Sequence, residues 1–148
     1  MGLKKWLLFM VIFALSLTIV ISLLIYFQAK GPFSEATDKA ESYVLENNLL
    51  AQVDKTYVYN NTSTFYTVIG STAKGEEKAY FLPHGKSDEK IMEVNLEEGI
   101  SEQRAVDLVM KDVKDGKLLH AKLGVEEIGP VWEITYVNAE DNLNYVYL

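Results

Sequence analysis

WLLFMVIFALSLTIVISLLIYF, residues 6–27, is the stretch on which the reading of the whole chain depends. It carries no charge, and its polar side chains are three hydroxyls (Ser16, Thr18, Ser22) and one phenol at its end (Tyr26). As a helix it would span roughly 33 Å, enough for a hydrocarbon core of about 30 Å. A core helix of a small soluble domain has no use for an apolar surface on every side, so the stretch reads as a membrane span. Lys4 and Lys5 precede it and only Lys30 follows closely. The positive-inside bias therefore sets residues 1–5 in the cytoplasm and the chain beyond Gln28 outside, as a single-pass protein of the cell membrane. The apolar run is longer than a signal-peptide core, and Phe27-Gln28-Ala29 lacks a small residue three before a cut, which favours retention as an anchor. There is no Cys to carry an acyl chain in its place.

Outward from the span, residues 28–33 form a short tether, and the rest leaves room for one ordinary domain or two very small ones packed together. Without cysteine no disulfide can brace it, so the exported part must rely on its own core. All 21 acidic residues lie beyond the span against 12 basic ones, a net of nine negative charges. That balance speaks against nucleic acid and anionic lipid as partners.

Gly31-Pro32 is expected to break the helix and Ser34 to cap a new one, with Ala36, Ala40, Tyr43, Val44 and Asn47 at helical spacing over about 35–48. From Gln52 the period changes to two. Tyr57 and Tyr59 alternate with Thr56 and Val58, residues 60–63 make a turn, and 64–71 alternate again, which predicts a β-hairpin. Further strands are expected over 79–82 and 91–96, separated by a turn at Pro83-His84-Gly85-Lys86. A second unit then begins with a helix start at Ile100-Ser101-Glu102-Gln103, continues at helical spacing to Asp115-Gly116, and gives strands over 118–126, 131–137 and 143–148. Turns are expected at Gly129-Pro130 and at 139–142.

The two units look like copies. Ala36, Asp38, Ala40 and Val44 match Ala105, Asp107, Val109 and Val113 at a shift of 69, while Phe65, Thr67, Ile69 and Tyr80 match Trp132, Ile134, Tyr136 and Tyr147 at a shift of 67. The fold expected is α+β: an N-terminal transmembrane helix over 6–27, then two helix-on-antiparallel-sheet units over 34–97 and 98–148.

ISEQRAVDLVMKD followed by GPVWEITYVN resembles the PepSY pattern, an amphipathic helix rich in Ala and acids ahead of a Gly-Pro-Val-aromatic-Glu-Ile strand. With a basic N-terminus, one span and two such cystatin-like units, the whole chain is similar to the YpmB/TseB family of cell wall elongation regulators in Gram-positive bacteria. The resemblance implies a membrane-anchored extracytoplasmic adaptor that works with a class B penicillin-binding protein of the elongation machinery. The wider PepSY group also implies an alternative, an inhibitor or restraint of an extracytoplasmic peptidase.

The residues themselves offer little chemistry. His84 and His120 have no companion at ligand spacing, so no metal site is expected. No nucleophile elbow is present. The acidic pairs Glu76-Glu77, Glu97-Glu98 and Glu126-Glu127 fall in predicted turns or at element ends, where carboxylates are usually solvated. The reading is of a non-enzyme with no cofactor and no small-molecule substrate. Aromatic residues are the better lead, and Tyr57, Tyr59 and Tyr66 are the candidate partner-binding residues, Tyr66 foremost because it is out of phase with Phe65.

Overall fold

The computed structural model describes residues 2–85 and 90–148, with the backbone alone over 29–33. Its elements are helix α1 (Leu3–Glu46), strands β1 (Gln52–Asn60), β2 (Thr64–Ser71), β3 (Glu77–Pro83) and β4 (Met92–Asn95), helix α2 (Glu102–Met110), and strands β5 (Lys117–Glu126), β6 (Gly129–Val137) and β7 (Leu143–Tyr147). Two compact units contain them, residues 1–36 and 37–148.

In the first unit the apolar part of α1, Leu3–Gln28, is long and apolar enough to cross a membrane, and its side chains are exposed. The Ser16 hydroxyl donates to the Phe13 carbonyl at 2.8 Å and that of Thr18 to the Ala14 carbonyl at 2.9 Å. Both hydroxyls thus bond within their own helix, which a hydrocarbon surrounding demands. The break expected at Gly31-Pro32 does not occur: the helix runs through it to Glu46. Proline withholds one N–H from the ladder, but a helix with strong formers on both sides can absorb that loss without ending.

In the second unit α1 ends as expected, with Asn48 in the left-handed region at φ 55° and the Asn47 amide donating to the Tyr43 carbonyl at 2.8 Å. The strands form two antiparallel sheets of order β1-β2-β3-β4 and β5-β6-β7. Alternation sends Phe65, Thr67, Ile69, Ala79 and Phe81 to one face of the larger sheet and Tyr66, Val68, Tyr80 and Leu82 to the other. The second face packs on Ala40, Val44 and Leu50. The first packs on Leu123, Val125, Trp132 and Ile134 of the smaller sheet together with Ala105 of α2. The larger sheet is therefore buried on both sides.

Three further boundaries depart from expectation. Helix α2 stops at Met110, short of Asp115-Gly116, because Ser101 caps its start through Arg104 N but the chain after Lys111 turns at Asp115, φ 53°. Strand β4 is only Met92–Asn95, and Lys86 of the turn expected before it lies outside the described residues. Gly129 and Pro130 pair with Glu126 and Val125 inside the β5–β6 ladder instead of turning, and the chain reverses over Glu127 and Ile128. Gly129 has φ 120°, a conformation open to glycine, so it serves the hairpin from within the strand. Tyr80 stands opposite Val68 of β2, whereas Tyr145, not Tyr147, stands opposite Thr135 of β6, so the register does not give Tyr80 and Tyr147 the equivalent places that the matching at a shift of 67 expects.

Candidate partner surface

Strand β5 is an edge strand, and the larger sheet meets it with side chains. The Tyr57 hydroxyl accepts from Leu123 N–H at 2.7 Å and donates to the Leu123 carbonyl at 3.3 Å. Thr67, fully buried, donates to the same carbonyl at 3.0 Å. Lys122 Nζ reaches the Val58 carbonyl at 3.3 Å, returning the contact from the other side. The outward N–H and C=O of Leu123, which would otherwise be unpaired at this edge, are thereby satisfied by hydroxyls.

Tyr59 lies over the outer face of β5, where Gly124 leaves space for its ring. Its hydroxyl donates to Glu126 Oε1 at 2.6 Å, and the Asn61 amide donates to the same oxygen at 2.7 Å. Burial is the main reason the Tyr57 and Tyr59 phenols are pushed well above their ordinary pKa of 10.0, and the hydrogen bond to Glu126 adds to the effect at Tyr59. Of the three tyrosines expected at a partner surface, Tyr59 is only 1 % exposed and Tyr57 is tied to the β5 backbone. Both hold the two sheets together, which follows from the burial of the larger sheet on both faces. Tyr66 is half-buried and pairs with the His84 ring through its hydroxyl. It alone of the three combines accessible surface with a position away from the seam between the sheets.

The most open aromatic surface of residues 37–148 was not singled out by sequence. Register sets Leu143, Tyr145 and Tyr147 of β7 beside Val137, Thr135 and Glu133 of β6 on the outer face of the smaller sheet. Tyr145 is 53 % and Tyr147 45 % exposed. Glu133 is nearly buried between its neighbours, accepting from Tyr147 at 3.1 Å and lying 3.5 Å from His120 Nε2. Burial and the Glu133 charge raise the Tyr147 phenol above its ordinary value. At the end of this face an open groove of about 390 Å³ is lined by Glu126, Glu127, Ile128, Val131 and Tyr147. The signal that could have found it is the strictly alternating Leu143, Tyr145, Tyr147 of a strand that follows two others.

For chemistry the site offers little. Among the described residues no group of three His, Asp or Glu side chains is placed to hold a metal ion. Glu76, Glu97 and Glu127 are exposed, whereas Glu126 is committed to Tyr59 and Asn61.

The fold and this surface define an α+β module with an apolar N-terminal helix and an exposed aromatic sheet face. The comparisons with known proteins make the class specific. Residues 39–83 match the cell wall elongation regulator TseB-like domain. Over 147 residues the chain is 28 % identical to the probable cell wall elongation regulator TseB of Bacillus subtilis (strain 168), covering 98 % of this chain and 91 % of that protein. The solved structure of the YpmB protein from Bacillus subtilis is similar with a TM-score of 0.62 at 28 % identity, covering 75 % of this chain and 86 % of that one. Together these findings make the chain similar to YpmB/TseB-type proteins over nearly its whole length.

Proposed function

We propose that this protein is a non-catalytic adaptor that regulates cell wall elongation by binding a class B penicillin-binding protein outside the cell membrane. The observation that carries the proposal is the similarity, over 98 % of the chain, to a probable cell wall elongation regulator. The apolar helix Leu3–Gln28 supports an anchor, and the lysines at its start support a cytoplasmic N-terminus with residues 37–148 outside. The adaptor reading is supported by the use made of several polar side chains: Tyr57, Tyr59, Thr67 and Glu126 hold the fold together. The order of a helix and then antiparallel strands, given twice, supports two PepSY-like units descended from one. Tyr66 remains a proposed contact residue, next to His84 on the larger sheet.

The test replaces Tyr66 by a photo-crosslinking amino acid in the anchored protein and compares cell shape with and without the gene. Capture of an elongation transpeptidase, with shortened or widened rods after deletion, is the expected result. Capture of a membrane peptidase with unchanged rods and faster turnover of exported proteins would replace the adaptor by a peptidase restraint.

A further inference from the structure

Four strands of the 37–148 unit are sheet edges: β1, β4, β5 and β7. An unpaired edge is a template for another chain, and proteins blunt such edges with charge, proline, bulges or cover. Three of the four are blunted here. Strand β1 carries Asp54 and Lys55 at a bulge between Val53 and Lys55, and its Val58 carbonyl accepts from Lys122. Strand β4 has only four residues, one of them Glu93, which Lys78 and Tyr80 hold. Strand β5 is bulged between Leu118 and His120 and capped at Leu123 by Tyr57 and Thr67.

Strand β7 has none of these devices. Its sequence, LNYVY followed by Leu148, contains no charge, proline or glycine, and its register against β6 is unbroken. Leu148 N–H donates to the Trp132 carbonyl at 3.1 Å and its carbonyl accepts from Trp132 N–H at 3.0 Å, while the Asn142 carbonyl accepts from Asn138 N–H at 2.9 Å. Antiparallel alternation then turns Asn144 and Val146 inward as well, and leaves the N–H and C=O groups of Leu143, Tyr145 and Tyr147 pointing away from the sheet. No strand among the described residues lies beyond them.

We infer that the outer edge of β7 is a docking site for an extended, basic segment of a partner protein, which adds to the sheet as a fourth strand. The backbone groups of Leu143, Tyr145 and Tyr147 would supply the ladder, and the groove at the Tyr147 end would sort side chains, the division of labour usual in strand addition. Charge selects the occupant. The groove presents Glu127 beside the apolar Ile128, with Glu126 in its lining already held by Tyr59, Asn61 and Thr62, and Glu140 and Asp141 stand in the hairpin at the other end of β7. A lysine or arginine side chain with an apolar stem fits such a lining. A second copy of this chain fits badly, since each copy brings nine net negative charges beyond the apolar helix. This inference rests on the adaptor reading for its biological meaning, but its test makes no reference to wall synthesis, so the two can fail separately.

The experiment uses the full chain in detergent micelles and follows individual amides by hydrogen exchange. The probes are a short peptide alternating lysine and valine, the same peptide with glutamate for lysine, and the lysine peptide N-methylated at alternate residues. The lysine probe should slow exchange at Leu143, Tyr145 and Tyr147, while the glutamate and N-methylated probes should not. Tyr145→Pro deletes one outward N–H without touching the β6 ladder and should weaken the lysine probe about fivefold, the ordinary net worth of one hydrogen bond. Glu127→Lys, on an exposed turn residue, should reverse the preference between the lysine and glutamate probes and covers the case in which the proline variant does not fold. Protection absent from these three amides, or equal for all probes, would overturn the inference. So would protection of the same amides without any probe, accompanied by a sedimenting dimer, which would make the occupant a second copy.

Discussion

Tyr57 is one of the residues that join the two sheets. Its hydroxyl serves both backbone groups of Leu123, and at the edge of β5 no ladder partner exists for them. Tyr57→Phe keeps the ring but leaves a largely buried N–H unpaired, at a cost of about 1–3 kcal/mol. The same residue should shape the response to alkali. Burial raises the Tyr57 and Tyr59 phenols above 10.0 in the folded protein. The folded state thus holds these protons longer than the unfolded chain, so their contribution is fully present below about pH 10 and is lost as pH rises towards the folded values. Urea midpoints measured between neutral and strongly alkaline pH should fall for the parent protein above about pH 10. In Tyr57→Phe the midpoint should start lower and then fall less steeply, because one of the raised phenols is gone. A variant that falls as steeply as the parent would show that Tyr57 does not carry its share.

At the scale of elements, strands were the legible part of the sequence. Alternation about Tyr57, Tyr59, Phe65, Thr67 and Ile69, bounded by Asn-rich turns, located β1 and β2 to within a few residues, because a period of two tolerates little else. What alternation could not give was the inward face: it separates Phe65 from Tyr66 but does not reveal that both faces of the larger sheet are covered. Hence Tyr57 and Tyr59 were legible as aromatic strand residues and illegible as the seam between sheets. The passage of α1 through Gly31-Pro32 and the reversal at Glu127-Ile128 were missed because local breaker residues were weighed without their pairing partners. Gly124 belongs to the same class of silent features. A Cβ at this position would come within 2.3 Å of the Tyr59 ring, so β5 can pass under Tyr59 only as glycine. Gly124→Ala should push the ring off β5, loosen its bond to Glu126 and cost about 1–3 kcal/mol, the usual range for overpacking. Thermal melting reads the loss, and Gly124→Ala combined with Tyr59→Ala should cost less than the two separately, since the smaller side chain vacates the space.

For the whole molecule the question left open by the sequence is whether the parts before and after residues 96–100 move on one another. Residues 37–148 form one compact unit, and their main core is assembled from both sides of that joint. Phe65, Ile69, Ala79 and Phe81 come from the larger sheet, and Leu123, Val125, Trp132 and Ile134 from the smaller. Trp132 also donates through its indole N–H to the Ile100 carbonyl at 2.9 Å, pinning the joint itself. Neither sheet can open without exposing apolar surface of the other, so the unit should unfold in a single transition. Phe81 and Ile134 are both fully buried, on opposite sides of the shared core. Phe81→Ala should cost about 3–5 kcal/mol and Ile134→Ala about 2–5 kcal/mol. Each should reduce hydrogen-exchange protection across both sheets, the distant one as much as the mutated one. Followed by Trp132 fluorescence in a Trp6→Phe background, both variants should shift one sigmoidal curve to lower denaturant without changing its slope. A biphasic curve, or protection lost only in the mutated sheet, would mean that the two sheets are separate folding units that merely touch, and the seam at Leu123 would then be a hinge instead of a weld.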